Sequence, residues 1–337
     1  MSLCVPLTVI LLRHYSTDRF WSLTFFVPLK TGRIDIATYL VTGGCGFIGS
    51  HLCQALLRRG DAVRVLDDLS TGLLSNLAAG ASLIQGDVAE PSLVREALSG
   101  TKGCFHLAAV ASVELSNREW LRTHHTNLTG TITVFDAAIA AGGVPVVYTS
   151  SAAVYGDCPA LPLTENSEKQ PLSAYAADKI GCELHARVAS RVHRLPSVGL
   201  RLFNVYGPGQ EPRSPYSGVI SIFSERLRSG KPIEIFGDGH QTRDFVFVDD
   251  AIVAMLRVMD ARLAGDHVFN VCTGRATSVL ELAHTIARLC HTTPEILPKP
   301  ERRGEVRHSQ GDPTLARRVL GVEASTSLEV GLGIILA

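Results

Sequence analysis

The stretch YLVTGGCGFIG, residues 39–49, predicts a strand, a tight turn and a helix in direct succession. A short apolar run over 36–41 ends in a glycine cluster, and apolar side chains recur at helical spacing over 47–57. In a turn of this kind one glycine allows the sharp bend, a second lets backbone N–H groups approach a pyrophosphate, and a third lets helix and strand pack closely. These three positions are Gly43, Gly46 and Gly49.

An acidic pair supports the interpretation of this turn as a dinucleotide site. A second strand is predicted over 62–66, and it ends at Asp67 and Asp68, about 20 positions beyond the glycines. A carboxylate there accepts hydrogen bonds from the adenosine ribose and repels a 2′-phosphate, which favours NAD over NADP. The alternative is a βαβ turn that binds no ligand.

Strands and helices are predicted to alternate from residue 36 to about residue 203, which indicates a parallel sheet with helices on both faces. The predicted strands are 36–41, 62–67, 82–85, 103–108, 144–150 and 197–203. The predicted helices among them are 47–59, 91–98, 118–141 and 173–194. We therefore expect an α/β fold with a Rossmann-like, doubly wound parallel sheet and a smaller α+β region at the C-terminal side.

Three parts of the chain are expected from these patterns. Residues 1–35 resemble nothing in the rest of the chain and are predicted to be a poorly ordered extension. Residues 36–205 are predicted to form an NAD-binding Rossmann domain. Residues 206–337, where the alternation stops and Pro and Gly become frequent, are predicted to form mainly a substrate-binding cap, with some segments returning to the first domain.

The composition excludes several classes of protein. The 337 residues carry 32 basic and 32 acidic side chains, with no long run of one sign, which argues against a nucleic-acid partner. The eight cysteines are scattered without a C-x-x-C pair or a histidine at metal-binding spacing. This pattern predicts reduced thiols in a cytoplasmic protein without a metal site. No apolar stretch approaches the length of a membrane-spanning helix, so no integral membrane segment is predicted.

The residues that suggest chemistry lie near residue 150 and one helix later. The predicted strand 146–151 runs into hydroxyl side chains and ends at Ser151, and Tyr175 and Lys179 stand four positions apart on one helix face. A tyrosine is a weak base at neutral pH because its reference pKa is about 10. A neighbouring ammonium group favours the phenolate. Together with the dinucleotide turn, this set predicts a tyrosine that transfers protons.

Further candidates follow the other predicted strands, because ligands of such sheets lie beyond the carboxyl ends of the strands. Asp87 could bind an adenine amino group or could be a simple turn residue. Small side chains over 107–109 allow close approach of a cofactor, and Asn127 is expected to position backbone or ligand. His106 is interpreted as a packed histidine rather than a catalyst. The predicted cofactor-binding residues are Gly43, Gly46, Phe47, Ile48, Gly49, Asp67, Asp68, Asp87, Val88, Leu107, Ala108, Ala109, Asn127, Tyr175 and Lys179.

Over residues 36–330 the chain resembles the extended short-chain dehydrogenases/reductases, and within them the NAD-dependent epimerase/dehydratases of the UDP-glucose and UDP-N-acetylglucosamine 4-epimerase type. The motifs that carry the resemblance are TGGxGFIG at 42–49, SSAAVYG at 150–156, YxxxK at 175–179, RLFNVYGP at 201–208, RDFVFVDD at 243–250 and RRGEVRHS at 302–309. Their order and spacing together are specific to that family.

The resemblance implies roles for individual residues. Ser151, Tyr175 and Lys179 match the catalytic triad of the family, and Ser151 also lies where the substrate binds. The other positions that match substrate-binding residues are Asn204, Arg243, Arg302, Glu305 and Ser309. The two arginines match residues that hold a diphosphate, Glu305 matches a contact to the nucleoside ribose, and the small Ser309 is similar to relatives that admit N-acetylhexosamines.

The resemblance also implies the reaction, namely inversion at C4 of a UDP-sugar through a transient 4-keto sugar, with NAD as the cofactor. Related dehydratases and decarboxylases carry acidic residues directly before VYG, where this chain has Ala152 and Ala153. A reductase that uses exchanging cofactor, and a silent NAD-binding sensor or scaffold, remain as alternatives. Relatives pair through helices that match 118–141 and 173–194, so a homodimer is expected.

Overall fold

A computed structural model describes residues 36–211, 218–301 and 306–337. The predicted extension over 1–35 and the predicted substrate residues Arg302 and Glu305 lie outside this described part. Residues Ile36–Ala337 form one compact unit. Within the described ranges, no helix combines the length and the apolar character needed to cross a membrane.

The bounds of the regular elements follow from the backbone. The strands are β1 Thr38–Thr42, β2 Ala62–Asp67, β3 Ser82–Gln85, β4 Gly103–His106, β5 Val146–Ser151, β6 Ser197–Leu202, β7 Asn204–Tyr206, β8 Ile233–Phe236, β9 Thr242–Arg243, β10 Phe245–Phe247, β11 Asp266–Val271, β12 Thr277–Ser278 and β13 Ile296–Lys299. The helices are α1 Phe47–Arg58, α2 Pro91–Leu98, α3 Val113–Arg118, α4 Trp120–His124, α5 Gly130–Ala140, α6 Ala174–His193, α7 Val219–Arg228, α8 Val248–Ala261, α9 Val279–Leu289, α10 Thr314–Leu320 and α11 Leu328–Leu336.

The described residues form a seven-stranded sheet in the order β11-β6-β5-β4-β1-β2-β3, and every pair in it is parallel. The chain runs outward from β1 to β3, returns to β4, and then runs the other way. The strand order therefore reverses between β1 and β4, and a ligand is expected at the carboxyl ends of these two strands. The predicted doubly wound Rossmann-like sheet is confirmed.

Alternate side chains of the central strands enter two separate cores. Leu40 of β1 packs with α2 and α5 on one face of the sheet, whereas its neighbour Val41 packs with α1 and α8 on the other. Each strand of a parallel sheet is covered on both faces, so its side chains are apolar at nearly every position. Burial on both faces holds the strands in position. It therefore sets where their carboxyl ends lie, and the site lies beyond those ends.

The C-terminal part contributes both to the main sheet and to three two-stranded sheets. β11 extends the main sheet beside β6, while β7 pairs with β10, β9 with β12 and β8 with β13. The division at residue 205 stays a prediction. The pairing of β11 places one strand from the predicted cap in the sheet of the predicted Rossmann domain.

Several predicted elements differ from the structure by one or two residues at an end, and two of the differences concern the predicted helix 118–141 and the predicted strand 103–108. The predicted helix 118–141 is instead α4, a π-helical turn over His125–Thr129 and α5. The predicted strand 103–108 ends at His106, because the next two N–H groups bond back to Thr42 of β1. Sequence periodicity predicts neither a π-helical turn nor a side-chain acceptor on the neighbouring strand.

Candidate active site

The glycine turn after β1 leaves space for a ligand at the start of α1. Gly43 adopts φ of +72°, and its N–H donates to the Leu66 carbonyl at 2.8 Å. A Cβ at Gly43 would lie 2.8 Å from the backbone N of Ala108, and a Cβ at Gly49 would clash with the carbonyl of Gly43. No described side chain caps α1 at Gly46, so its first N–H groups remain available to an anion.

The carboxylate at the end of β2 fastens this turn. The backbone N–H of Cys45 donates to Asp67 Oδ2 at 2.9 Å, and that of Leu69 donates to Oδ1 at 2.9 Å. Burial raises the pKa of Asp67, and the two backbone hydrogen bonds partly offset this rise. Asp68 is exposed and accepts from the N–H and hydroxyl of Ser70. The buried Asp67 carboxylate therefore holds the glycine turn in place by accepting a hydrogen bond from its backbone.

A cleft with an empty volume of about 590 Å³ lies at the reversal of strand order. Nine of the predicted cofactor residues line it, namely Gly43, Gly46, Asp67, Asp68, Asp87, Val88, Leu107, Ala108 and Ala109. The sequence analysis did not single out the other lining residues, which are Leu66, Ser70, Thr71, Gly72, Gly86, Val110 and Thr126. Most of these directly flank predicted residues, so position after a strand is the signal that could have identified them. Phe47, Ile48 and Gly49 lie on the first turn of α1, next to Gly46.

Asn127 acts on this cleft through the backbone. Its side chain lies in the π-helical turn and is 1% exposed. The amide oxygen accepts from the Val110 N–H at 2.8 Å, and the amide nitrogen donates to the Val110 carbonyl at 3.1 Å. Both polar ends of the amide are therefore occupied by one residue of the cleft wall. A buried amide satisfied in this way holds that wall in place.

The predicted catalytic side chains meet at the carboxyl end of β5. Lys179 is 3% exposed, and its ammonium group donates to the Thr149 carbonyl at 2.7 Å. The same nitrogen lies 5.7 Å from the centroid of the Tyr175 ring. Ser151 ends the strand two residues after Thr149, and its hydroxyl oxygen accepts from the Ala153 N–H at 3.1 Å. The buried ammonium of Lys179 and the Tyr175 ring therefore lie on one face of α6, toward the carboxyl end of β5.

The start of α6 is fixed by hydroxyl and amide side chains. Ser173 caps the helix, and its oxygen accepts from the third N–H beyond it at 3.1 Å. The N–H of Tyr175 donates to Ser116 Oγ at 3.2 Å, and that of Ala174 donates to Asn117 Oδ1 at 3.1 Å. Because α3 provides both acceptors, it sets the position of the tyrosine backbone.

A buried ion pair lies beneath these side chains. Glu183 follows Lys179 by one helical turn, and it accepts from the Ser150 hydroxyl at 2.6 Å and from two guanidinium nitrogens of Arg201. Arg201 also donates to Tyr155 Oη at 2.8 Å, and Tyr155 donates to Asn270. The network joins β5, β6 and β11 to α6, the helix that carries Tyr175 and Lys179. The i,i+4 spacing of Tyr175, Lys179 and Glu183 was the available sequence signal for it.

The residues predicted to contact substrate are carried by loops and short strands. Arg243 donates through one terminal nitrogen to the carbonyls of Thr242 and Val306, each at 2.8 Å. Ser309 is buried, and its N–H donates to the Thr242 carbonyl at 3.2 Å. The Asn204 side chain is exposed on β7. These contacts bring Arg243 and Ser309 to one place beside β9.

Asp244 organises the loops around Arg243, although the sequence analysis did not single it out. It is fully buried and accepts hydrogen bonds from Thr273, Gly274 and Gly311. Burial raises its pKa, and these hydrogen bonds oppose the rise. A charged residue directly before the apolar run FVFV was the available signal.

The profile of a family described as the NAD dependent epimerase/dehydratase family matches residues 39–272. The chain belongs to this family. The prediction of the family is confirmed, and the matched range contains the glycine turn, the cleft and the predicted catalytic side chains described above.

Individual relatives are similar over most of their length. A UDP-glucose 4-epimerase of Mycolicibacterium smegmatis is 39% identical over 300 residues, which is 87% of this chain and 95% of the relative. The structure of UDP-glucose 4-epimerase from Thermotoga maritima, solved with UDP-glucose, has a TM-score of 0.86 at 36% identity and covers 89% of this chain and 97% of the other. A UDP-N-acetylglucosamine 4-epimerase from Methanobrevibacter ruminantium, solved with UDP-N-acetylmuramic acid, has a TM-score of 0.85 at 32% identity with the same coverage.

The described cleft fits NAD, the cofactor on which this family depends. Side chains at Gly43 or Gly49 would collide with neighbouring backbone, so the turn can take this shape only with glycine. The uncapped start of α1 offers N–H donors for the pyrophosphate, and the carboxylates at the end of β2 suit ribose hydroxyls.

Proposed function

We propose that this protein is an NAD-dependent nucleotide-sugar 4-epimerase, an isomerase that inverts C4 of a UDP-hexose or UDP-N-acetylhexosamine. The observation that carries the proposal is the arrangement at the end of β5. There the buried Lys179 donates to the Thr149 carbonyl, its nitrogen lies 5.7 Å from the centroid of the Tyr175 ring, and Ser151 ends the same strand two residues after Thr149. Likeness to 4-epimerases over nearly the full length supports it.

In this mechanism Tyr175 takes the proton from the sugar 4-hydroxyl, and it returns the proton when the hydroxyl is restored. The Lys179 ammonium stabilises the phenolate, while the Thr149 carbonyl keeps that ammonium in place. Ser151 orients the hydroxyl or relays its proton. Bound NAD supplies a hydride acceptor and donor, so the sugar passes through a 4-keto state and no cofactor is consumed.

The residues after Ser151 favour epimerisation over related reactions. Ala152 and Ala153 form the turn that follows β5, where dehydratases and decarboxylases of the family are expected to place acids. An alanine cannot transfer a proton, so elimination or decarboxylation would lack its second acid–base group. A nucleotide-sugar dehydratase or decarboxylase is therefore the weaker alternative. A reductase is a separate alternative, which predicts fast exchange of the cofactor. A silent sensor would not require the intact Tyr175 and Lys179 pair.

The diphosphate of the substrate is proposed to bind Arg243 and Arg302, and the ribose to bind Glu305. Guanidinium groups suit phosphate oxygens because their N–H donors form a planar fork. Asn204 is proposed to contact the sugar nucleotide. Buried Ser309, held to Thr242 beside Arg243, is proposed to leave room for an N-acetyl group.

A homodimer is proposed to form through α4 and α6. Apolar side chains are exposed along α6 at successive turns, at Leu184 (54%), Val188 (53%) and Val192 (67%). Trp120 and Leu121 on the adjacent α4 are 63% and 86% exposed. Neighbouring apolar side chains that are exposed to solvent in this way often mark a protein–protein contact. A cytoplasmic location remains part of the proposal, and the seven cysteines of the described residues are free thiols.

The test incubates the purified protein with UDP-galactose and, separately, with UDP-N-acetylgalactosamine, with and without added NAD, and identifies products by proton NMR. Formation of the gluco epimer establishes 4-epimerisation. Turnover of the N-acetyl sugar supports the role of Ser309, whereas turnover of UDP-galactose alone contradicts it. Binding of NAD and UDP-sugar without any conversion would favour the sensor alternative.

A further inference from the structure

His106 is a buried histidine at the end of β4 whose two ring nitrogens are both hydrogen-bonded. Nδ1 lies 2.8 Å from Thr42 Oγ1, and Nε2 lies 2.9 Å from Thr131 Oγ1. The three side chains are each no more than 3% exposed. Since water has little access to these groups, each hydrogen bond must be satisfied within the protein.

The directions of these hydrogen bonds follow from the neighbouring backbone. Thr42 Oγ1 lies 3.1 Å from the N–H groups of both Leu107 and Ala108, which can only donate. The N–H of Leu107 is shared with the Thr42 carbonyl, also at 3.1 Å. With its lone pairs occupied, the Thr42 hydroxyl can donate only its own proton, and the acceptor is Nδ1 of His106. A neutral imidazole then carries its proton on Nε2.

The same reasoning continues on the other side of the ring. Nε2–H donates to Thr131, whose hydroxyl donates to the Asn127 carbonyl at 2.6 Å. The Asn127 side chain binds both backbone groups of Val110. Residues 107–110 are therefore fixed at one end by Thr42 and at the other by Asn127, and His106 joins the two fixed points.

This segment forms a wall of the NAD cleft and lies against the glycine turn. Residues 107–110 line the cleft, and a Cβ on Gly43 would meet the Ala108 backbone at 2.8 Å. The His106 ring itself is buried beneath that wall. A shift of the wall by a few tenths of an ångström would therefore reach the cofactor without any movement of the catalytic side chains.

We propose that His106 is a positioning residue of the cofactor site. Held neutral with its proton on Nε2, it orients the Thr42 hydroxyl and so sets the backbone at Leu107 and Ala108 that faces NAD. The proposal depends on NAD binding and not on which sugar reaction follows. Its failure is therefore distinguishable from failure of the proposed epimerase activity.

The neutral form of His106 agrees with its surroundings. Burial, together with the positive charge of nearby Lys179, lowers its pKa to about 3. A second ring proton, on Nδ1, would point at Thr42 Oγ1, which already accepts hydrogen bonds from the N–H groups of Leu107 and Ala108. It would also place a second cation near the ammonium that supports Tyr175. Cys182 of α6 also contacts Thr131 and the Asn127 carbonyl, and burial raises the pKa of this thiol, so it stays neutral as well.

The test compares three variants loaded with NAD and freed of unbound cofactor, and follows cofactor release. His106→Asn keeps an acceptor where Nδ1 stood, His106→Gln keeps a donor where Nε2 stood, and His106→Leu keeps only bulk. Loss of one buried hydrogen bond corresponds to about a tenfold change. We expect NAD release about tenfold faster for His106→Leu and within about twofold of wild type for His106→Asn. We expect His106→Gln to lie between them. Equal release from the Leu and Asn variants would overturn the proposal, as would wild-type release from the Leu variant.

A measurement on the unaltered protein keeps the proposal testable if a variant does not fold. In the ¹⁵N spectrum of histidine-labelled protein, His106 should show a protonated Nε2 and an unprotonated Nδ1, unchanged between pH 8 and pH 5. The signals are assigned by their disappearance in His106→Asn or, without that variant, by through-space contacts to Thr42 and Thr131. A protonated Nδ1, or titration of the ring in this range, would overturn it.

Discussion

The cofactor side and the substrate side of this molecule use different kinds of polar group. Around the glycine turn, the polar groups belong to backbone or to short buried side chains such as Thr42, Asp67 and Asn127. Around β9, Arg243 is long and Asn204 is exposed, and Ser309 is the one short, buried side chain among the described residues predicted to hold substrate. Short buried groups lose little conformational freedom when a ligand binds, whereas a long side chain loses much more.

This difference matches what each ligand must do in the proposed reaction. NAD is regenerated in every cycle and can remain bound, so a fixed cradle has no disadvantage. The sugar nucleotide must enter and leave in every cycle, and its sugar must turn between two orientations. The contrast predicts that substitutions on one side change one ligand and leave the other unaffected.

The largest expected effect comes from Tyr175→Phe, which removes the proposed proton acceptor. Since a positioned acid–base group contributes about 10²–10⁴-fold, kcat should fall by roughly 10³-fold, as measured by NMR of epimer formation. NAD release should change far less than kcat, although Tyr175 is also among the predicted cofactor-binding residues. The matched control is Tyr39→Phe on β1, which should leave kcat unchanged. If NAD were released much faster from the Tyr175 variant, the separation of the two sides would be wrong.

A second prediction concerns the glycine turn at the NAD cleft. Gly49→Ala would place a methyl group against the Gly43 carbonyl, so the turn must shift. We expect NAD to bind about 100-fold more weakly and the protein to lose roughly 1–3 kcal/mol of stability, measured by calorimetric titration and urea unfolding.

The control for this prediction is Gly333→Ala, in α11. A Cβ at Gly333 meets no neighbour, and alanine favours a helix over glycine. Gly333→Ala should therefore stabilise the protein by up to about 1 kcal/mol and leave NAD affinity unchanged. Equal effects of the two substitutions would show that the Gly49 contact has no special importance.

On the substrate side, Arg243→Gln should raise KM for the UDP-sugar by about 30-fold, because hydrogen bonds to charged groups contribute about 1.5–3 kcal/mol. Steady-state kinetics give KM, and NAD release measured on the same preparation should not change. Arg275→Gln provides a control at an exposed arginine near the same loops. A Gln variant with normal KM would remove Arg243 from the diphosphate site.

The smallest effect is a pH dependence of stability that separates the two sides. Below about pH 6.5 the unfolded chain takes up a proton on His106, whereas the folded protein does not until about pH 3. Stability should therefore fall as pH decreases through this window, by about 1.4 kcal/mol per unit from His106. Urea unfolding at pH 6.5 and pH 5 should show this contribution in the wild type and not in His106→Asn.

The substrate side gives the corresponding control. Arg307 holds the pKa of Asp238 well below its usual range, so the contribution of this pair is already complete above the ordinary pKa of an aspartate. It is lost only when pH falls below that value. Arg307→Gln should therefore keep the wild-type change in stability between pH 6.5 and pH 5. A flattened change in this variant would contradict the assignment to His106.

Much of the cofactor side could be predicted because its signals are local. The spacing from Gly43 to Asp67 and the small residues at 107–109 are readable along the chain, and the structure brings them to one cleft. The π-helical turn at Asn127 was not predicted, because helical periodicity continues through it. The partner of the Asn127 side chain there is Val110, 17 positions away in sequence.

The hydrogen-bond network beside the predicted catalytic side chains was harder to predict from the sequence. Ser150, Arg201 and Asn270 lie side by side only because β5, β6 and β11 pair in one register. The motifs that contain Ser150 and Arg201 do not show that these side chains meet in one network. Arg302 and Glu305 were predicted only from the resemblance, and they lie outside the described residues.

The two hydrogen bonds that Asp67 receives from Cys45 and Leu69 have a consequence for changing the coenzyme preference. Replacing an acid at this position is the obvious way to admit the extra phosphate of NADP. Here the same carboxylate also fastens the phosphate-binding turn, so its loss would release two backbone amides inside the protein. With Asp67 in its predicted role, one side chain serves both the coenzyme preference and the shape of the turn, so a change of preference would require new acceptors for both backbone N–H groups.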